Sequence, residues 1–223
     1  FKMNVYPTRR SASFPQRISD ATKKCAATAE LVNGGNGVKG TVTGIPFPIP
    51  KSGQEAIWNH LLRYRCDKGA RWLAQAMPTR GGDYTPVEFA DEAFMMYSHE
   101  GMTEEALGNK IFFFKQEVLA PARLAGGILL VHETLDQVRS PRLAWRYDAG
   151  SRRLRRSPNL AYETDLPNSS SLRSVDQKDM YNGAPNQYDW ELKGKRELLV
   201  PYNAYQLHDA EVTPEEVIRP RHI

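Results

Sequence analysis

The sequence predicts a mainly β (α+β) protein: a curved antiparallel sheet or open half-barrel with short helices packed on its concave face. Three observations carry that prediction. The two amphipathic helical stretches both lie before residue 65. From Ala70 onward, strand-like runs follow one another with hairpin-type turns between them. The alternating strand and helix units of a parallel sheet are missing. A chain of 223 residues, 40% hydrophobic and 25% charged, is long enough for one core spanning residues 1–223 as a single domain. No apolar run approaches the roughly 18 residues of a membrane-spanning helix.

Residues 1–15 are aromatic, basic and irregular, and read as an arm on the surface of something else. Between Arg17 and Val32, the residues Ile18, Ala21, Cys25, Ala29 and Val32 recur three or four apart, which predicts a first helix ended by Asn33-Gly34-Gly35. The following glycines, Gly37 and Gly40 among them, predict a flexible link. They are not a phosphate loop, which needs a strand before it and a helix directly after.

The stretch Gly40 to Arg65 organises the rest. In Ile45-Pro46-Phe47-Pro48-Ile49-Pro50 the apolar residues share one parity and the prolines the other, which predicts an edge strand or wall with Ile45, Phe47 and Ile49 facing together. Ser52 stands three residues before Glu55, the spacing of a capping box. A helix should start there, with Ile57, Trp58, Leu61 and Leu62 on its apolar stripe and Asn59 pointing away.

Ala70 to Met77 predicts a strand, and Pro78 to Asp83 a turn. Val87, Phe89, Ala93, Met95 and Tyr97 share a parity that Asp91 interrupts, so two strands or one bent strand should follow. The adjacent carboxylates Asp91-Glu92 and Glu104-Glu105 read as solvated, and Gly101 to Asn109 as a short helical turn or loop. Lys110 to Lys115 carries three consecutive phenylalanines that require cover on both faces. Ala120-Pro121-Ala122 breaks it, and Arg123 to Thr134 resumes, with Gly126-Gly127 marking a bulge or kink. Leu143 to Tyr147 and Arg152 to Arg156 form a hairpin closed by Asp148 to Ser151. Arginine on both faces of its second arm demands solvent, a polar cavity or an acidic partner. Pro158 to Lys178 is polar and reads as a mobile loop or lid. Trp190, Leu192, Leu198 and Val200 share one parity, with charged residues on the other, and predict a half-buried strand. Residues 201–207 look irregular, and Val212 to Ile218 can form a helical turn.

The net charge of +4 is mild, with the basic excess gathered between Arg139 and Arg156. Anionic partners are compatible with it; nucleic acid is not expected, because no aromatics are interleaved with the arginine run. Cys25 and Cys66 could pair in an oxidising compartment or remain free. His60, His99, His132, His208 and His222 stand in no metal-ligand pattern, and nucleophile elbows, CxxC pairs and Walker loops are absent from the sequence. Neither a metal site nor a cofactor is expected. What remains is an apolar constellation on the predicted inner faces, either an ordinary core or the lining of a cavity: Trp58, Leu62, Phe112, Phe114, Leu129, Trp145 and Trp190.

Five blocks in order, GIPFPIP..G.EAIWNHLLRYR (44–65), PTRGGDYT (78–85), FFFKQEVLAPARLAGGILLVHETL (112–135), AWRYDAGSRRLRRSPN (144–159) and NGAPNQYDWELKGKRELLVPYNAY (182–205), resemble the bacterial family catalogued as domain of unknown function 1329. The resemblance implies an exported envelope protein similar in fold to the lipoprotein carriers LolA and LolB, accessory to a membrane export system for hydrophobic compounds. It brings no catalytic residues. It also implies that the chain is a portion of a longer family protein, since members continue past the equivalent of Ile223 with further strands. Cys66 replaces a glycine usual in the family, so a disulfide with Cys25 would be particular to this sequence.

The expectation is therefore a periplasmic or envelope-associated carrier of a lipid or other hydrophobic molecule. Trp58, Leu62, Phe112, Phe114, Leu129, Trp145 and Trp190 would line its site, and Arg153 and Arg155 would contact a headgroup, a membrane surface or an envelope transporter. One alternative is a structural adaptor docking such a transporter. The other is a hydrolase or isomerase on a hydrophobic substrate, which would need His60 or His132 converging with a carboxylate.

Overall fold

The computed structural model describes residues 5–7, 13–158, 160, 162–201, 204, 207 and 209–217. Most of the predicted arm at 1–15, much of 201–207, and His208 and His222 fall outside the described residues.

Six strands form one antiparallel meander in sequence order: β3 (Lys68–Pro78), β4 (Tyr84–Met95), β5 (Lys110–Ala120), β6 (Ile128–Thr134), β7 (Leu143–Asp148) and β8 (Arg153–Arg156). The sheet is not closed into a barrel, since β3 and β8 remain its two edges. Each turn-rich break anticipated from sequence is a hairpin connection, because alternation on both flanking segments lets neighbours share one apolar face. Residues 84–95 are a single strand, with the register against β5 shifting between Glu88 and Phe89. Asp91 keeps the parity of Phe89 and Ala93, points to the inner face and is buried, so it is not solvated. Gly126 and Gly127 lie in the turn before β6.

The helix α1 (Gln16–Cys25) stops earlier than its stripe predicts. Val32 belongs instead to a small hairpin of β1 (Glu30–Val32) and β2 (Gly37–Lys39), whose turn contains Asn33, Gly34 and Gly35, and Ala29 lies in the link just before it. The Thr28 hydroxyl donates to the Gly40 carbonyl at 2.7 Å and tethers the chain leaving α1 to the far end of that hairpin. A Cβ at Gly40 would lie 2.0 Å from the Thr28 carbonyl oxygen, so this close approach requires glycine.

The helix α2 (Gly53–Leu61) begins where the capping spacing places it, and the Ser52 hydroxyl accepts from the Glu55 N–H at 3.2 Å. The Glu55 carboxylate accepts from Lys51 N rather than closing the box on Ser52. Ile57, Trp58, Leu61 and Leu62 are buried, with Trp58 0% exposed. They join Met95, Phe112, Tyr97 and Leu107 in the largest core cluster, so α2 fills one end of the inner face. Phe47 is buried beside it, but Ile49 is exposed and the proline ladder makes no strand. Asn59 faces that ladder: its amide donates to the Phe47 carbonyl at 2.6 Å and its oxygen accepts from Phe47 N at 2.9 Å. A side-chain amide thus replaces the ladder partner that prolines cannot provide.

The helix α3 (Glu104–Leu107) is a single capped turn, and α4 (Pro214–Val217) matches the predicted helical turn. Residues 191–200 make no strand and are exposed throughout, contrary to their alternation. Alternation produces a strand only where a neighbour takes up the backbone N–H and C=O groups, and among the described residues none does so here. Cys25 and Cys66 are free thiols.

Candidate functional site

Packing over the inner face changes along the strands. Under α2 it is solid, but between β3–β6 and the segment 160–182 it leaves a cavity of about 720 Å³. Leu73, Phe89, Phe112, Phe114, Leu129 and Val131 supply its apolar walls. The covering segment takes in most of the Pro158 to Lys178 stretch expected as a mobile loop or lid, and it is held down by Leu160 and Val175 packed on Val131 and Ala144. Arg142 fastens it as well. Its guanidinium pairs with buried Glu133, donates to the Leu160 carbonyl at 2.9 Å and reaches the Asn182 carbonyl at 2.7 Å. A buried charge so placed needs every one of these partners.

A polar row crosses the inner face in the middle of the sheet. Register aligns Arg71, Asp91, Gln116, Leu129, Arg146 and Arg155 on β3 through β8. At the β3 end the row is satisfied. Asp91 Oδ2 accepts from Arg71 Nε and Nη2 at 3.1 and 3.0 Å, and Oδ1 accepts from Gln116 Nε2 at 2.7 Å. Lys178, from the covering segment, reaches into the same place, its Nζ 3.7 Å from Asp91 and 3.8 Å from the centre of the Phe114 ring. Burial pushes its pKa down to about 8, against the opposing pull of Asp91. Arg63 and Arg65 share Asp179 at the cavity's edge near α2.

At the β8 end the row opens onto a second cavity of about 430 Å³, which shares Gln116, Leu129 and Pro167 with the first. Arg123, Arg146, Arg153 and Arg155 line it. Asp148 is its lone carboxylate, held below the usual carboxylate range first by hydrogen bonds from Ser151 and then by Arg155 and Arg146.

The predicted site residues divide. Phe112, Phe114 and Leu129 line the large cavity, and Arg153 and Arg155 the small one. Trp58 and Leu62 are in the packed core, where the indole N–H of Trp58 donates to the Gly35 carbonyl at 2.9 Å. Trp190 packs edge-on against Tyr181, and its carbonyl lies so close to Gly53 that a Cβ there would be 2.1 Å away. Trp145 is on the opposite face, in a ring row with Phe94, Phe113 and His132. His132 is therefore turned away from the cavity, and His60 is bonded to the Tyr181 carbonyl at 3.0 Å outside its lining. The sequence reading has Asp91 as solvated and does not single out Gln116, Arg146 or Lys178. Asp91 carried a usable signal, a carboxylate on the apolar parity of its strand; Lys178 lies in an irregular segment whose sequence has no periodicity to place it.

The chain is 46% identical, over its full 223 residues, to the uncharacterized protein PA3922 of Pseudomonas aeruginosa, and spans 49% of that relative's length. A crystal structure of a DUF1329 family protein from Desulfovibrio piger superposes with a TM-score of 0.42 at 17% identity, covering 59% of this chain and 49% of the other. The model of the family described as protein of unknown function DUF1329 matches residues 1–223 from end to end, and the chain belongs to that family.

Proposed function

We propose that this chain is the binding domain of an envelope-associated carrier, sheltering a lipid or other hydrophobic molecule in the large inner-face cavity. The observation that carries the reading is the unfilled space of about 720 Å³ between an apolar stretch of sheet and a fastened cover. That volume falls within the roughly 300–1,000 Å³ of small-molecule sites. Each buried ligand methylene would contribute about 0.8 kcal/mol, so a chain seated on Phe112, Phe114 and Leu129 needs little else for affinity. Among the cavity's polar groups, Asp91, Gln116 and Lys178 converge in the middle of the inner face, the kind of arrangement that orients a ligand. An exported location and service to a membrane export system fit this reading and are part of the proposal. Delipidated protein should take up a fluorescent fatty-acid or phospholipid probe saturably. Uptake that never saturates, or is absent, defeats the reading.

The adaptor alternative draws on the exposed arginines Arg153 and Arg155, which could dock an acidic face of a transporter. It requires transporter binding that persists when the large cavity is blocked.

A further inference from the structure

The small cavity has an electrostatic composition that the large one lacks. Among the described residues, Arg123, Arg146, Arg153 and Arg155 make no ion pair and no side-chain hydrogen bond. The cationic residues of the large cavity do better: Arg71 and Lys178 share Asp91, Arg63 and Arg65 share Asp179, Arg142 takes Glu133, and Arg173 donates to the Gln177 carbonyl. Arg146 and Arg155 are moreover direct cross-strand partners on the inner face. Like charges placed opposite each other on adjacent strands are destabilising. Asp148 feels Arg155 and Arg146 but makes no ion pair with either, and it already accepts the Ser151 N–H and hydroxyl, both at 2.7 Å. The row that begins with a paired Arg71 and Asp91 therefore ends on two arginines that no carboxylate pairs.

That shortfall adjoins the apolar space. Leu129 is the cross-strand neighbour of Arg146 and lines both cavities, as do Gln116 and Pro167. A ligand lying across Leu129 would have hydrocarbon on one side and guanidinium groups on the other. Guanidinium forks match the oxygens of a phosphate in a bidentate way that a point charge cannot.

We propose that the two cavities form one bipartite site for an anionic amphiphile, with the hydrocarbon chain in the large cavity and a phosphate-type head held by Arg146 and Arg155 in the small one. This deepens the carrier reading and rests on it. The phosphate can belong to an amphiphile or be free in solution, and the test separates the two.

The 223-residue chain is titrated with hexadecyl phosphate, hexadecanol and inorganic phosphate, each as a competitor of N-phenyl-1-naphthylamine prebound in the apolar space. Binding of the naphthylamine itself is read first. Hexadecyl phosphate should compete roughly ten- to hundredfold more tightly than hexadecanol, the range expected for one or two hydrogen bonds to a charged group. The double variant Arg146→Gln/Arg155→Gln should lose that preference while hexadecanol binds as before, and Arg146→Lys/Arg155→Lys should keep part of it. Both positions are exposed, so the variants should fold, and unfolding curves check this. Equal affinity for hexadecyl phosphate and hexadecanol in the wild type, or a preference that persists unchanged in the Gln variant, overturns the bipartite site and leaves the carrier reading standing. Failure of naphthylamine and both long-chain probes to bind overturns both. Inorganic phosphate competing as well as hexadecyl phosphate overturns the joint site in favour of a free-anion pocket.

Discussion

The end of the inner face beneath α2 and its middle beneath residues 160–182 belong to the same strands, yet one is filled and the other hollow. Under α2, Trp58, Leu61 and Leu62 pack with Met95 and Phe112 in one buried cluster, and none of the three α2-end residues lines the cavity. Four residues from Met95 along β4 and four from Phe112 along β5, Asp91 and Gln116 stand on the same inner face, and the cover leaves a cavity over them. The difference lies in what each cover presents. A capped helix offers a contiguous apolar stripe, whereas the segment 160–182 offers Leu160, Leu166 and Val175 interspersed with Arg173, Lys178 and Asp179. A charged group cannot be pressed into an apolar surface without a partner, so the polar row and the charged cover together keep the cavity open.

The comparison breaks most easily at Trp58. Trp58→Ala should cost about 3–5 kcal/mol, read by urea unfolding, because the cavity it leaves lies in packed core. A loss below about 1 kcal/mol would mean that the α2 end is no better filled than the middle. Arg142→Met should cost about 3 kcal/mol, since Glu133 is left buried without its partner and the Leu160 and Asn182 carbonyls lose their donor. Limited proteolysis should then cut within 160–182 while the sheet stays protected; cleavage at wild-type rates would detach the cover's hold from Arg142.

Lys178→Met sharpens the contrast in the opposite direction. Burial holds the amine near pKa 8, below the ordinary 10.5. Between those values the unfolded chain binds more protons than the folded one, so stability should rise with pH from about 8 to about 10.5. Below pH 8 the buried charge is a standing penalty. The methionine variant should accordingly be more stable at pH 7 by about 1–3 kcal/mol and lack the alkaline rise. A destabilised variant would show Lys178 to be a structural partner of Asp91. The smallest stability effect belongs to Leu129→Trp, within about 1 kcal/mol, because the added rings enter open space rather than a packed core. Its effect on uptake should be large.

Much of this architecture could be read from residues. Ser52 and Glu55 located the start of α2, and alternation around turn-forming clusters located β3 to β8. The errors share one cause: pattern gives parity, while the partner decides its use. Trp145 has the parity of Leu143 and Tyr147 as expected, but pairing with β6 sets Ala144 beside Val131 on the inner face and turns Trp145 outward. Residues 191–200 continue the alternation without a neighbouring strand and stay exposed. At the site, Phe112, Phe114 and Leu129 were legible as inner apolar residues, whereas Trp58 and Leu62 show that an inner apolar residue can equally be core. Lys178 and Arg146 join the site through a long covering segment and a cross-strand register, neither of which is written in local sequence.

The most direct test compares saturable uptake of N-phenyl-1-naphthylamine by delipidated wild-type protein and by Leu129→Trp. An open apolar hollow predicts one-to-one binding by the wild type and none by the variant, with unfolding curves that nearly superimpose. Absence of saturable uptake by the wild type, or equal uptake by both proteins, would contradict it.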